Sequence, residues 1–477
     1  MRRKHWVYCF LFLTFTSFFL SGCTTDHVSE MTPQVPVAFT SRTMAPTETR
    51  TGLTGNMTDT ELRSQGFGVM AYYTSSTEWS SVGDGNKRPN FMYNQWVRYF
   101  SDVQWTYEPI KYWPNDNQPA DDEDATGSQE HSFLSFFAYA PYVEVTPDTG
   151  IPASGPLTTG ITGLSTNAET GNPLVHYTLA SQASEQVDLL WGARGQSAYA
   201  EADGTSNTES SITNTDLTKQ TTTERVSFLF KHALACIDIY VQRIYDEVTY
   251  SGKTPDTDAA KIFVSELKLS MAAGATNASG DLDLSTGTWT SVTPNAAAAE
   301  LVISSDKIAT DLRGTTEENS NLTAVRNIEL DGFDDKEGVD ETRKRLTTTD
   351  YATMLIPRTG GVTVTPSVSY SFVTADPELA LNITDSKGTP YSRILHHDVQ
   401  SEPSTVTIAS AGPPVRLEGG KRYTLVCYIG VEHVAFEVVS VEDWDFPLRF
   451  DPSVTDFANP YNESTGENGT SKTLNED

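Results

Sequence analysis

Basic side chains are scarce in this chain. Lys and Arg number 33 against 63 Asp and Glu, a formal net charge of -30. A surface of that sign repels phosphate backbones and anionic lipid head groups, which excludes nucleic acid as a partner. Cysteine is scarcer still, with four in 477 residues, and their spacing matches no zinc site. Long helical periods are missing, and no segment after residue 20 is apolar enough to span a bilayer as a helix. A Gly-rich phosphate loop and a nucleophile elbow are missing too. What is plentiful is Thr, Ser, Gly, Asn and Asp, together with Tyr and Phe. That is the composition of β-sandwiches, and the length suits two or three domains, each with its own core.

The chain opens on Arg2, Arg3 and Lys4, followed by an apolar run from Trp6 to Leu20 that stops at Ser21, Gly22 and Cys23. This is the layout of a secretory signal, residues 1–22. Its end resembles a lipobox, in which Cys23 becomes the acylated first residue of an outer-membrane lipoprotein. The plainer reading is an ordinary signal with a chance cysteine. Each buried methylene of an acyl chain contributes roughly 0.8 kcal/mol to anchoring, so several chains hold a protein on a membrane. Residues 23–34 are polar and read as a tether.

Two β units follow, residues 35–205 and 206–445, with the break inside the Ser-, Thr- and Asn-rich stretch 193–223. Val35, Val37 and Phe39 alternate as a first strand, and Arg42 and Arg50 stand just after it. Residues 133–139 are almost continuously apolar, which predicts a strand buried on both faces. Val226, Phe228 and Phe230 alternate in one phase and Ile237, Ile239 and Val241 in the other. A bulge or bend near residues 232–235 is the expected way to make that shift. Residues 282–289 read as a single strand, and Phe228, Phe230, Leu425 and Ile429 as members of one C-terminal core. Cys236 and Cys427 fall in phases that argue against a disulfide. Residues 446–477 form a tail in which Phe446, Leu448 and Phe450 alternate with Pro447 and Arg449, making it a candidate donor strand. The competing reading is that this segment finishes its own domain. As a donor it must keep Pro447, which lacks an N–H, away from a ladder bond.

Sites for chemistry are few. Asp116, Asp121, Asp122, Glu123 and Asp124 could face a calcium ion, but lack EF-hand spacing and read more simply as a solvated charge run. His396 and His397 are adjacent, which on a strand sends them to opposite faces. His232 reads as a hydrogen-bonded structural histidine. No catalytic set, cofactor or metal is called for, although paired carboxylates on neighbouring strands would be invisible here.

Seven dispersed stretches stand out: residues 66–72 (GFGVMAY), 111–114 (KYWP), 135–141 (SFFAYAP), 188–191 (DLLW), 230–235 (FKHALA), 354–357 (MLIP) and 420–425 (GKRYTL), with Trp444 beyond them. In their order and spread they resemble the fimbrillin family of type V pilus proteins. The resemblance implies an all-β chain of two transthyretin-like β-sandwich domains in tandem, exported as a lipoprotein. It further implies polymerisation by strand exchange after proteolysis, with cleavage expected after Arg42 or Arg50. Partners would be other pilin subunits, the outer membrane through the lipid, and a host or bacterial surface ligand. The alternative is a surface lipoprotein that binds carbohydrate on exposed aromatic rings, for which Trp79, Trp96, Trp105 and Trp113 supply material if they are not core residues.

Overall fold

The computed structural model describes residues 36–43, 55–100, 104–114, 132–153, 160–193, 198–200, 206–208, 214–218, 226–243, 260–309, 344–347, 353–374, 395–400, 405–410, 413–429 and 434–444. Met1–Gln34 form a unit of their own that contains none of these; the body is Val35–Asp477. Its described part is all-β, with one seven-residue α-helix, Asp59–Gln65.

A seven-stranded sheet runs in the order Phe39–Thr43, Val226–His232, Leu190–Ala193, Phe133–Ala140, Phe67–Ser75, Met92–Phe100, Gln104–Thr106. Every pairing is antiparallel except that of Phe39–Thr43 with Val226–His232. Side chains alternate between two cores. Phe67, Val69, Phe136, Phe228 and Phe230 fill one, which helix residue Leu62 also joins. Met70, Tyr72, Phe137 and Tyr139 fill the other. Phe133–Ala140 is almost continuously apolar, Ser135 excepted, because both of its faces are buried, as the sequence predicts.

A second sandwich is made of two sheets. One holds Lys344–Arg345, Ala235–Arg243, Lys421–Ile429 and Val434–Asp443, with Thr353–Leu355 also on Ala235–Arg243. The other holds Ala299–Ser304, Ala260–Met271, Val362–Thr374 and Leu395–Gln400, with Val406–Ile408 on Val362–Thr374. Ile237, Ile239, Leu267, Val364, Leu425 and Ile429 pack between them. Phe228 and Phe230 do not, which corrects the expectation that they share a core with Leu425 and Ile429. The reason lies at residues 232–235. Of the two expected devices, a bulge or a bend, the phase shift there is a bend. The chain bends at Ala233 and Leu234 and passes from one sheet to another, so that His232 pairs with Leu190 while Ala235 pairs with Leu355.

Residues 282–289 are likewise not one strand. Asn277–Asp283 and Thr288–Pro294 form a hairpin, which adds to Leu174–Thr178 and Ile161–Leu164 in a four-stranded sheet. That sheet supplies Val175, Tyr177, Ile161 and Leu282 to the core over Tyr72 and Phe137. The expected boundary at 205/206 is thus crossed twice, by Val226–His232 and by this hairpin. His176 Nδ1 lies 2.6 Å from Asp281 Oδ1, and Asn172 Nδ2 donates to Asp283 Oδ2 at 2.8 Å. Contacts of this kind tie the halves through a shared sheet and a shared core.

Candidate functional site

Residues 36–39 (Pro-Val-Ala-Phe) lie in a slot with both edges engaged. Pro36 bridges Tyr112 in antiparallel fashion. On that side the Val37 N–H donates to the Lys111 carbonyl at 2.8 Å, and the Tyr107 hydroxyl donates to the Val37 carbonyl at 2.8 Å. On the other side the Val226 N–H donates to the Ala38 carbonyl at 2.8 Å. Phe39–Thr43 then continues in parallel register, Phe39 opposite Val226 and Thr43 opposite Phe230. Period-two alternation sends Val37 and Phe39 inward, and both are buried. The Phe39 ring centroid lies 5.3 Å from Tyr107, 5.8 Å from Phe136 and 5.9 Å from Phe228. Burying two such side chains contributes roughly 1.5–3 kcal/mol each. Without residues 36–43, Val226–His232 becomes an edge strand beside two empty apolar pockets, a surface that invites another strand.

The first strand therefore lies later than residues 35–39, and its span, Phe39–Thr43, includes Arg42, which stands opposite Leu229. Its backbone belongs to a paired strand. Arg50, Cys23, Phe446, Leu448 and Phe450 lie outside the described residues, as does the acidic loop with Asp116 and Asp124.

A second feature is a buried polar node. Asp188 and His232 are both buried, and His232 Nδ1 is hydrogen-bonded to Asp188 Oδ2. The same carboxylate oxygen accepts the Met57 N–H at 3.0 Å. Met57 leads into the helix, whose start is fixed by a capping box between Thr58 and Glu61. Trp444, the last described residue, stacks its ring on His232, and its backbone N–H donates to the Gly420 carbonyl at 2.8 Å. Next to it, buried Gln186 accepts the Met354 N–H at 2.7 Å. Sequence reasoning identified His232 as structural but missed Asp188 as its partner. The hydrogen bonds to Asp188 Oδ2 offset part of the cost of burying this side chain.

Trp79, Trp105 and Trp113 are core residues. Trp96 is 38% exposed, stacked parallel on Tyr142 with centroids 5.0 Å apart and with the Arg98 guanidinium 4.8 Å from its centroid. Cys236 and Cys427 are free and buried, one in each of two different cores. Burial pushes both thiols well above their usual range. Among the described residues, no group of three or more His, Cys, Asp or Glu is placed to hold a metal ion.

An all-β body with a docked N-terminal strand fits the class that the motifs imply. No protein-family model matches the chain. Over 293 residues it is 27% identical to fimbrium subunit Fim1C of Phocaeicola vulgatus, covering 60% of this chain and 63% of that protein. The match thus spans less than two thirds of the relative's length. Among solved structures, a fimbrial protein from Bacteroides vulgatus superposes with a TM-score of 0.55 at 21% identity, covering 86% of this chain and 100% of that one. At that identity the likeness is one of fold. The resemblance to fimbrillins is borne out by this shared sequence and shared fold.

Proposed function

We propose that the chain is a non-enzymatic subunit, structural or accessory, of a surface fimbria that serves adhesion. In this reading residues 1–22 are removed, Cys23 is acylated, and the protein reaches the outer-membrane surface on its lipid. An Arg-specific protease then releases the segment that carries residues 36–43, and a strand from a neighbouring subunit refills the slot. The observation that carries the reading is the slot itself. A short N-terminal segment buries Val37 and Phe39 and is hydrogen-bonded along both edges. Arg50 suits cleavage better than Arg42, because Arg42 sits in paired backbone, which a protease must first pull loose. The two sandwiches move as one body in this reading, since they share the 277–294 hairpin.

The test is to treat the lipid-free protein with an Arg-specific protease and run it unboiled in SDS. Ladders of SDS-resistant oligomers that form in the wild type and are lost in Arg50→Ala support the reading. Monomer alone after complete cleavage at residue 50 contradicts it. Carbohydrate binding remains a second reading only at Trp96, the exposed member of the four tryptophans considered.

A further inference from the structure

Three separate parts of the chain bring a lysine, a side-chain amide and a carboxylate together. Lys87 lies between Phe67–Ser75 and Met92–Phe100, Asn172 just before Leu174–Thr178, and Asp283 at the end of Asn277–Asp283. Lys87 Nζ donates to Asn172 Oδ1 at 3.0 Å, and Asn172 Nδ2 donates to Asp283 Oδ2 at 2.8 Å. The backbone holds the same three segments in place. The Gly171 N–H donates to the Lys87 carbonyl at 3.0 Å, and the Leu284 N–H to the Pro173 carbonyl at 2.9 Å. Asp283 Oδ1 accepts both the N–H and the hydroxyl of Ser285 at 2.7 Å, which fixes the carboxylate. Trp79 closes the other side, its ring centroid 4.7 Å from Nζ.

Lys87 and Asp283 are both buried. Yet the buried carboxylate bonds the amide nitrogen, and the carboxylate that meets Nζ is Asp84, at 2.9 Å and 81% exposed. Asp84 thus stands between Nζ and bulk water as an outlet for a proton. The amide carbon lies between an amine on one side and, on the other, a carboxylate placed at the nitrogen that an attack would expel. The next residue adds a condition of its own. A side-chain amide commonly loses ammonia by closing on the following backbone N–H, and Asn172 is followed by Pro173, which has none. With that route shut, Lys87 is the nucleophile this amide is given.

We propose that Lys87 and Asn172 join in an isopeptide bond, with Asp283 serving the leaving nitrogen. The Lys87 ammonium gives one proton to Asp84, which passes it to water. The neutral Nζ attacks Asn172 Cγ. In the adduct both nitrogens sit on one carbon, and Asp283 moves a second proton from Nζ to Nδ2. The Cγ–Nδ2 bond then breaks and ammonia leaves, while the third Nζ proton stays on the new amide. One amide replaces another, so nothing is oxidised or reduced and no co-reactant is needed. Holding the partners in contact supplies an effective concentration on the order of 10⁵ M or more. The bond ties a loop of the seven-stranded sheet to a turn of the four-stranded sheet, across the core that holds Tyr72 and Phe137. It is independent of the strand-replacement reading.

The test is the intact mass of the lipid-free protein, followed by mass spectrometry of its proteolytic fragments. The wild type should be lighter than its sequence by about 17 Da, one ammonia, and should yield a branched fragment holding both Lys87 and Asn172. Lys87→Arg, which keeps the charge, should have the full mass of its sequence. Asp283→Asn, checked for folding by circular dichroism, should show a linked fraction lower by about tenfold or more in freshly expressed protein. Wild-type protein of full mass, with Lys87 and Asn172 in separate unmodified fragments, overturns the proposal, and this reading depends on no variant folding. A loss of ammonia that persists in Lys87→Arg overturns the assignment to this pair. A folded Asp283→Asn that links as completely as the wild type overturns the part given to Asp283.

Discussion

Trp444 lies flat on His232, with ring centroids 3.9 Å apart and an interplanar angle of 13°. Through His232 it reaches Asp188, and through Asp188 the backbone of Met57. The root of the C-terminal tail and the segment that follows the N-terminal strand are therefore fastened to the same buried node.

Removing the indole tests how firmly the node is held. Trp444→Ala should cost about 3–5 kcal/mol, the usual range for truncating a buried Trp. The measurement is the midpoint of guanidinium unfolding followed by circular dichroism.

Asp188→Ala strands the His232 ring nitrogen and the Met57 N–H in a buried setting. The expected loss is about 1–3 kcal/mol for each buried group left without its hydrogen bond. His232→Ala combined with Trp444→Ala should cost less than the two single changes added together, because the rings are in contact. Strict additivity in a double-mutant cycle would show that the stack is incidental.

Gly287 turns the hairpin that joins the two halves. Its φ is +70°, and a Cβ there would meet Trp191 Cζ2 at 2.0 Å. Gly287→Ala therefore combines backbone strain with a clash, each of order 1–3 kcal/mol. Because the hairpin pairs with Leu174–Thr178, the loss should appear as a lower melting temperature for a single cooperative transition. Two separated transitions in calorimetry would argue against coupled halves.

Much of this architecture was legible in the sequence, but unevenly. The doubly buried strand Phe133–Ala140 and the opposed phases of Cys236 and Cys427 follow from alternation alone. The phase shift at residues 232–235 was visible as a discontinuity. Its meaning was not, because alternation says which way a side chain points and not which sheet the strand joins. The hairpin at 277–294 was hidden because Leu282 and Trp289 keep the look of one strand across a turn that lacks Asn-Gly. The helix Asp59–Gln65 is shorter than the window in which a helical period shows, although Thr58 and Glu61 spell its capping box. Asp188, His232 and Trp444 are brought together only by folding, and no local pattern announces such a meeting.

Alkaline pH should weaken the fold. Burial, and then the nearby Glu169 and Asp148 carboxylates, push the Tyr93 hydroxyl up to about 12 from 10.0. Tyr72, Tyr139 and Tyr177 are also pushed up, chiefly by burial. The folded state thus holds these protons after the unfolded state has released them. The stability they contribute is fully present below about pH 10 and is lost as pH rises through the folded-state values. Guanidinium midpoints at pH 8, 10 and 11 should fall with rising pH, and Tyr93→Phe should flatten part of that fall. A flat profile between pH 10 and 11 would count against buried hydroxyls here.

The central claim is that residues 36–43 occupy a slot that is emptied and refilled. Amide hydrogen exchange at Val226–His232, read by mass spectrometry, tests it most directly. The account predicts slow exchange in the intact protein, fast exchange once the chain is cut at residue 50 and the freed segment removed, and slow exchange again in the assembled ladder. Protection that persists through cleavage and release, or ladders that form with residues 36–43 still bound to their own subunit, would contradict it.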